Sequence, residues 1–420
     1  MLELSYISLL PLPVYVAIVG SLLLSIGVFL RGFFNMATPE LPVLHYRESS
    51  LNSHILNKCK LKNRYFSPNF LLSSRHIQTV LPVILPKPDV TYEREYLQMR
   101  DKGVVALDWV ISPHVKVKRY VYHHQMLTDW LWRSCLSTVC NLHLRVSSFG
   151  DPSDLRQVIK YIKLRMPKSQ LAAVAYGTGC GLLLSYLGEF GSSALLTVGT
   201  CISPCYDVPL RFSSRVSNLY DLVLLLRLKS LLCHHAKALM DVLDIDKAIS
   251  TWTFSEYDKL VYCPFYGYSD MEQFWEMNNP VRDVDDIEVP VLCVNSLDDP
   301  VSACSDIPYD LFKCYPNFLL VATSKGGHCG FLEGFPPKSW ADILCLDYIE
   351  SVVEFTSKNT QHQQHRPRYH SVSGSGNFGS SSSINKSASP NSNYQSNSSS
   401  QPRSRCNTLS RKRSTERFTI

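Results

Sequence analysis

No charged side chain occurs between Leu4 and Leu30. That absence excludes an ordinary surface helix, which needs a polar face. It leaves a run longer than the ~20 residues that cross a hydrocarbon core of about 30 Å. A basic segment ahead of the run is also missing, and position 3 is the acidic Glu3, whereas a cleavable secretory leader opens with positive charge. Positive residues come afterwards, at Arg31, Arg47 and from Lys58 onward, which favours leaving the C-terminal flank on the cytosolic side. The expectation is a transmembrane or signal-anchor helix over residues 4–31. It would hold the body on the cytosolic face of the endoplasmic reticulum or another intracellular membrane, with a cleaved leader and a secreted protein as the alternative.

Other absences narrow the function further. Residues 112–149 contain no glycine, so no tight glycine turn can form there. Cys201 and Cys205 are not followed by a second ligand pair, which excludes a zinc site of paired spacing. No metal and no cofactor is expected. The 14 cysteines are scattered, and Cys201, Cys293 and Cys345 sit inside apolar runs. They read as buried free thiols of a reducing compartment rather than a disulfide framework. From residue 358 to 420 large apolar side chains are nearly absent, and a Ser/Asn/Gln-rich segment of that kind cannot offset its ordering entropy, so the tail is expected to be disordered. Much of the net charge of +6 lies near the C-terminus, and no nucleic-acid surface is read from it.

What remains is a body large enough for a substantial core. Pro39, Pro42 and Pro68 punctuate residues 32–69, which read as a linker. Residues 70–357 read as one domain. Tyr92–Arg100 and Val104–Ile111 alternate as a β-hairpin around Asp101-Lys102-Gly103. Asp151–Arg165 carries a helical apolar face of Leu155, Val158, Ile159 and Ile162. Apolar strands are expected before Gly177, over Ala194–Ile202, over Val289–Asn295 and over Phe318–Thr323. Residues 212–275 read as a helical, cap-like insert. Trp340–Phe355 reads as a last helix with Ile343, Leu346, Ile349, Val352 and Val353 inward. Strands alternating with helices in this order predict a mostly parallel sheet covered on both faces.

The stretch LAAVAYGTGCGLLLSYLGE, Leu171 to Glu189, organises that order. It reads as a strand, a glycine-dense turn and a helix from about Leu182. In α/β hydrolases such a turn is the nucleophile elbow G-x-S-x-G, which lifts a serine above the sheet. Here those positions are Ala175, Tyr176, Gly177, Thr178 and Gly179, so Gly177 stands where the serine belongs. Asp299 follows one predicted strand and His328 another, in the acid-then-histidine order of that fold, with Asp298 as the neighbouring acid that could take the role. Thr178 and Cys180 are the alternative nucleophiles, and shifting the elbow onto either puts bulky residues where small ones are needed. An oxyanion loop is not found between Trp109 and Asp151.

The motifs RHIQTV (75–80), LLLSYLGE (182–189), VPVLCVNSLDDP (289–300) and GGHCGFLEG (326–334) resemble the membrane-anchored AB hydrolase family 4. The resemblance covers residues 70–357. It implies an α/β-hydrolase fold, a nucleophile–Asp–His triad with Asp299 and His328 at the matching positions, an N-terminal anchor and lipid-ester substrates in active members. The segment between Trp109 and Phe149 is roughly 40 residues shorter than the usual domain plan, so the fold is expected to be truncated in its N-terminal half. The resemblance further implies a place in lipid metabolism and control of lipolysis.

The expectation is therefore a non-catalytic regulator or scaffold, with a protein partner in lipid signalling. The alternative is an active lipid-ester hydrolase with a non-standard nucleophile. In the tail, Arg366-Pro-Arg368-Tyr-His-Ser371 and Arg403-Ser-Arg405-Cys-Asn-Thr408 fit a basophilic kinase, whose acidic cleft reads the upstream arginines. Ser371 and Thr408 are expected phosphorylation sites.

Overall fold

A computed structural model describes residues 12–36, 39–85, 92–100, 103–110, 120–121, 150–206 and 218–364. The shortened segment, the oxyanion loop, residues 365–420 of the tail and its two phosphorylation sites lie outside the described residues, while residues 358–364, expected in a disordered tail, are helical.

Elements are numbered here in chain order. Helix α1 runs over Leu12–Met36. Strand β1 is Val43–Tyr46, α2 Ser50–Lys58 and α3 Arg75–Ile84. Next come β2 Tyr92–Gln98, β3 Val104–Val110 and β4 Tyr120–Val121, then α4 Ser153–Arg165, β5 Ala172–Tyr176, α5 Thr178–Phe190 and β6 Val198–Ile202. Helices α6 Asn218–His234, α7 Ala236–Leu239, α8 Ile245–Ser250, α9 Phe254–Tyr266 and α10 Met271–Asn278 follow. The body closes with β7 Val291–Ser296, α11 Tyr309–Cys314, β8 Phe318–Thr323 and α12 Trp340–Gln364.

The main sheet has five strands in the order β1-β8-β7-β6-β5. The pairs β5–β6, β6–β7 and β7–β8 are parallel, and β1 joins antiparallel at one edge. All six residues of β7 and all six of β8 are buried, the continuous apolar reading of a strand covered on both faces. The period-2 pleat divides them. Val291, Cys293, Phe318 and Leu320 pack with Leu183, Leu184 and Leu187 of α5 and Phe312 of α11. Leu292, Val294, Leu319 and Val321 pack with Ile55, Phe66 and, from α12, Trp340, Leu344 and Tyr348. Among the described residues β5 pairs only with β6, and the hairpin β2–β3 builds a separate three-stranded antiparallel sheet with β4.

Three expectations change. Residues 39–66 are not a linker. They supply the edge strand β1, and Ile55 and Phe66 are wholly buried in the core; the prolines mark corners of a folded segment. On α12 the inward face is Ala341, Leu344, Cys345, Tyr348 and Val352, while Ile343 and Leu346 are exposed. The helical period selects a face carrying small and amphipathic residues, which apolarity alone does not identify. Helix α5 starts at Thr178 rather than near Leu182, because Gly177 completes the turn by itself.

Helices α6 to α10 bury a cluster of their own, including Leu225, Leu228, Tyr257, Tyr262 and Phe274, over the span expected as a cap-like insert. Side chains of α1 are described over 13–28, and among the described residues no helix is long and apolar enough to cross a membrane. Val16, Leu22, Leu24 and Val28 of α1 are exposed. The cysteines described are all free, and six of them are buried: Cys59, Cys180, Cys201, Cys263, Cys293 and Cys345.

Candidate functional site

Strand β5 ends against β6, and the chain must reverse into α5 within one residue. Gly177 does this at φ +51° and ψ −119°. A Cβ is rarely tolerated there, and strain of this kind collects at functional turns. The Gly177 N–H donates to the Ile202 carbonyl at 2.9 Å, and its carbonyl accepts from Cys180 N at 3.1 Å. The mount is therefore that of a nucleophile elbow, without a side chain on it.

Asp299 follows β7 and is 4% exposed. Its Oδ1 accepts from the N–H groups of Val301 at 2.7 Å and Ser302 at 2.9 Å. Its Oδ2 lies 2.9 Å from His328 Nδ1. These bonds fix the carboxylate and orient the imidazole, leaving Nε2 toward the elbow. Asp298, the other acid considered, accepts instead from Ser296 Oγ and, at 2.9 Å, from Gly327 N. It ties the aspartate loop to the histidine loop.

His328 is 4% exposed. Burial works to lower its pKa, but the Asp299 carboxylate and the neighbouring Cys329 more than offset this and hold it well above the ordinary histidine range. A Cβ built on Gly177 would lie 3.1 Å from Nε2. The structure thus brings Gly177, Asp299 and His328 together in the arrangement of a hydrolase triad.

The alternative nucleophiles fare differently. Cys180 is fully buried, its Sγ donates to the Ile202 carbonyl at 3.4 Å, and burial pushes its pKa up. A neutral thiol inside the core is not a nucleophile. Thr178 is half-buried at the first position of α5.

Residue-level reading of the sequence missed the part that holds the histidine loop. Helix α3 carries RHIQTV, quoted above only as a family motif. Gln78 is wholly buried. Its Nε2 donates to the carbonyls of Leu72 at 2.6 Å and Leu332 at 2.9 Å, and its Oε1 accepts from Leu332 N at 2.7 Å. Thr79 Oγ1 accepts from His328 N at 2.9 Å. The loop passes so close that a Cβ on Gly327, at φ +58°, would lie 2.5 Å from the Arg75 carbonyl. A glutamine between apolar positions of a short helix was the available signal, because a buried amide has to find partners. Among the described residues no group of three or more His, Cys, Asp or Glu could hold a metal ion.

No family model matches the chain. Protein ABHD15 of Homo sapiens is 34% identical over 322 residues, covering 69% of this chain and 69% of that protein. The chain belongs to the AB hydrolase superfamily. Phospholipase ABHD3 of Mus musculus is 26% identical over 371 residues, covering 80% of this chain and 90% of that protein. Monoacylglycerol lipase ABHD2 of Mus musculus is 23% identical over 381 residues, covering 78% and 89%. This is an α/β-hydrolase fold among lipid-related relatives.

Proposed function

We propose that this chain is a hydrolase-fold regulator or scaffold of lipid metabolism that does not turn over esters by the serine route. One observation carries the reading. Gly177 holds the elbow conformation with His328 Nε2 aimed at it, yet has no side chain to deprotonate. Asp299 and His328 keep their geometry because each also builds its loop, through the N–H groups of Val301 and Ser302 and through Thr79. An acid–histidine pair does not require chemistry when its bonds already hold the fold.

The lipid setting is supported by the relatives' names, a phospholipase and a monoacylglycerol lipase. In this reading the uncharged run and α1 anchor the chain to an intracellular membrane with the body in the cytosol, and the exposed apolar side chains of α1 support it. A protein partner in lipid signalling, control of lipolysis, and a basophilic kinase acting on Ser371 and Thr408 complete the proposal. Phosphate there would add about −1.5 to −2 charge each to a basic tail.

Two measurements test it. A fluorophosphonate probe applied to the purified full chain leaves it unlabelled; labelling that disappears in His328→Ala overturns the reading. Phosphopeptide mapping after hormone stimulation finds Ser371 or Thr408 modified, and both remaining unmodified would remove the kinase.

A further inference from the structure

A second reactive group faces the space above Gly177. The Cβ built there would lie 3.1 Å from His328 Nε2 and 3.7 Å from Cys329 Sγ. The imidazole nitrogen and a thiol therefore converge on the point where a serine side chain would stand. Cys329 is held at φ +59°, a conformation that costs a non-glycine residue energy and persists only where the surroundings impose it. They do so here. Cys329 N donates to Ser203 Oγ at 2.9 Å, Ser203 is itself at φ +51°, and His328 N is bonded to Thr79.

Three further features act on that thiol. His328 is nearly buried, with Nδ1 committed to Asp299 and Nε2 aimed into the same space. Helix α5, 13 residues long, begins at Thr178, and the first N–H groups of a helix have no intrahelical partner and favour negative charge. Cys329 is partly exposed, unlike Cys180. Cys329 Sγ also donates to the Ile202 carbonyl at 3.7 Å.

We propose that Cys329 is an acyl-accepting nucleophile that takes its acyl group from an acyl thioester, with His328 as the proton donor to the departing thiolate and Asp299 as the positioning residue for His328. The inference rests on the reading above in one respect, that Gly177 leaves this space unfilled. The Cys329 proton leaves to solvent, because His328 Nε2 already carries one, and a solvent proton restores His328 after the step. The thiolate attacks the thioester carbonyl, whose oxygen is stabilised by the Thr178 N–H. A carbon–sulfur bond to Cys329 forms, the bond to the donor's sulfur breaks, and the departing thiolate takes the proton from His328. The products are S-acyl-Cys329 and a free thiol. One thioester replaces another, so no oxidant, reductant or energy source is needed.

The probe is S-butyryl-N-acetylcysteamine, applied to the purified full chain in detergent and followed by intact mass and peptide mapping. Cys233 and Cys304 are exposed and serve as internal reference thiols. The expected result is one butyryl group on Cys329, formed about tenfold or more faster than on either reference thiol. His328→Asn slows acylation of Cys329 by roughly 100-fold and leaves the reference thiols unchanged. Equal acylation of Cys233, Cys304 and Cys329 in the unmodified protein overturns the proposal, and this comparison needs no variant to fold. An adduct that persists supports both this inference and the non-catalytic reading. Continuous release of butyrate through Cys329 supports the nucleophile and overturns that reading. Fluorophosphonate labelling with no acyl group on Cys329 overturns both.

Discussion

Asp299 and His328 place a carboxylate and an imidazole inside the protein at hydrogen-bond distance, and the pH dependence of stability follows from the sign of one shift. The folded-state pKa of His328 is raised above its unfolded value of about 6.5. The native state therefore keeps a proton that the unfolded chain gives up. This contribution is complete below about pH 6.5 and is lost as pH rises through the folded pKa, at up to about 1.4 kcal/mol per pH unit. The urea midpoint of the unmodified protein is expected to fall on that alkaline side, and His328→Gln to flatten the slope; an unchanged slope in the variant would assign it to other groups. Asp299→Asn leaves the histidine without its counter-charge and two backbone N–H groups with a poorer acceptor. The expected loss is about 3–5 kcal/mol by denaturant titration. Gly177 obeys a different constraint. A serine there would stand 3.1 Å from Nε2 at φ +51°, so Gly177→Ser should cost about 1–3 kcal/mol, read as a lower urea midpoint at constant m-value.

At the scale of elements, helix α3 and Phe66 explain why the histidine loop keeps its shape. Gln78 satisfies two carbonyls and one N–H that the loop and its support would otherwise bury unpaired. Gln78→Leu is of similar size but removes all three bonds, and unsatisfied buried groups cost ~1–3 kcal/mol each. Destabilisation of about 3 kcal/mol or more is expected. Phe66 lies 5.4 Å from Trp340 and 6.3 Å from Phe331, ring centre to ring centre, just behind the loop. Phe66→Ala should cost ~3–5 kcal/mol, a loss that no linker residue would show. The same elements mark how far the sequence could be read. Strand β8 was legible to the residue because Phe318–Thr323 is an unbroken apolar run bounded by polar turns, and a doubly covered strand has no other reading. The elbow and the acid and histidine loops were legible because glycine and aspartate carry specific turn chemistry. β1 was not, since Val43–Tyr46 is a short edge strand whose pairing with β8 is set by tertiary contact rather than by local pattern. The role of Gln78 was hidden for a related reason. A buried amide declares itself only through partners far away in the chain, here Leu332.

For the whole molecule, the body and the leading helix obey opposite rules of solvation. The body hides its apolar side chains on both faces of one sheet. Helix α1 instead exposes Val16, Leu22, Leu23, Leu24 and Val28. Water does not support such a surface, because each large aliphatic chain left exposed forgoes about 1.5–3 kcal/mol relative to burial. A bilayer would remove that penalty. On the anchor proposed above, attachment and folding are separable, since none of the described side chains of α1 belongs to either core cluster of the sheet. Removal of residues 1–36 should move the protein from the membrane fraction to the soluble fraction. The truncated chain should keep the thermal midpoint of the full chain to within a few degrees, because the core that sets it is intact. The acylation of Cys329 proposed above should survive the same cut, as every group it uses lies beyond residue 75. A truncated chain that remains with membranes after a high-salt and carbonate wash would locate the attachment in the body instead. One that loses its cooperative thermal transition would make α1 part of the fold.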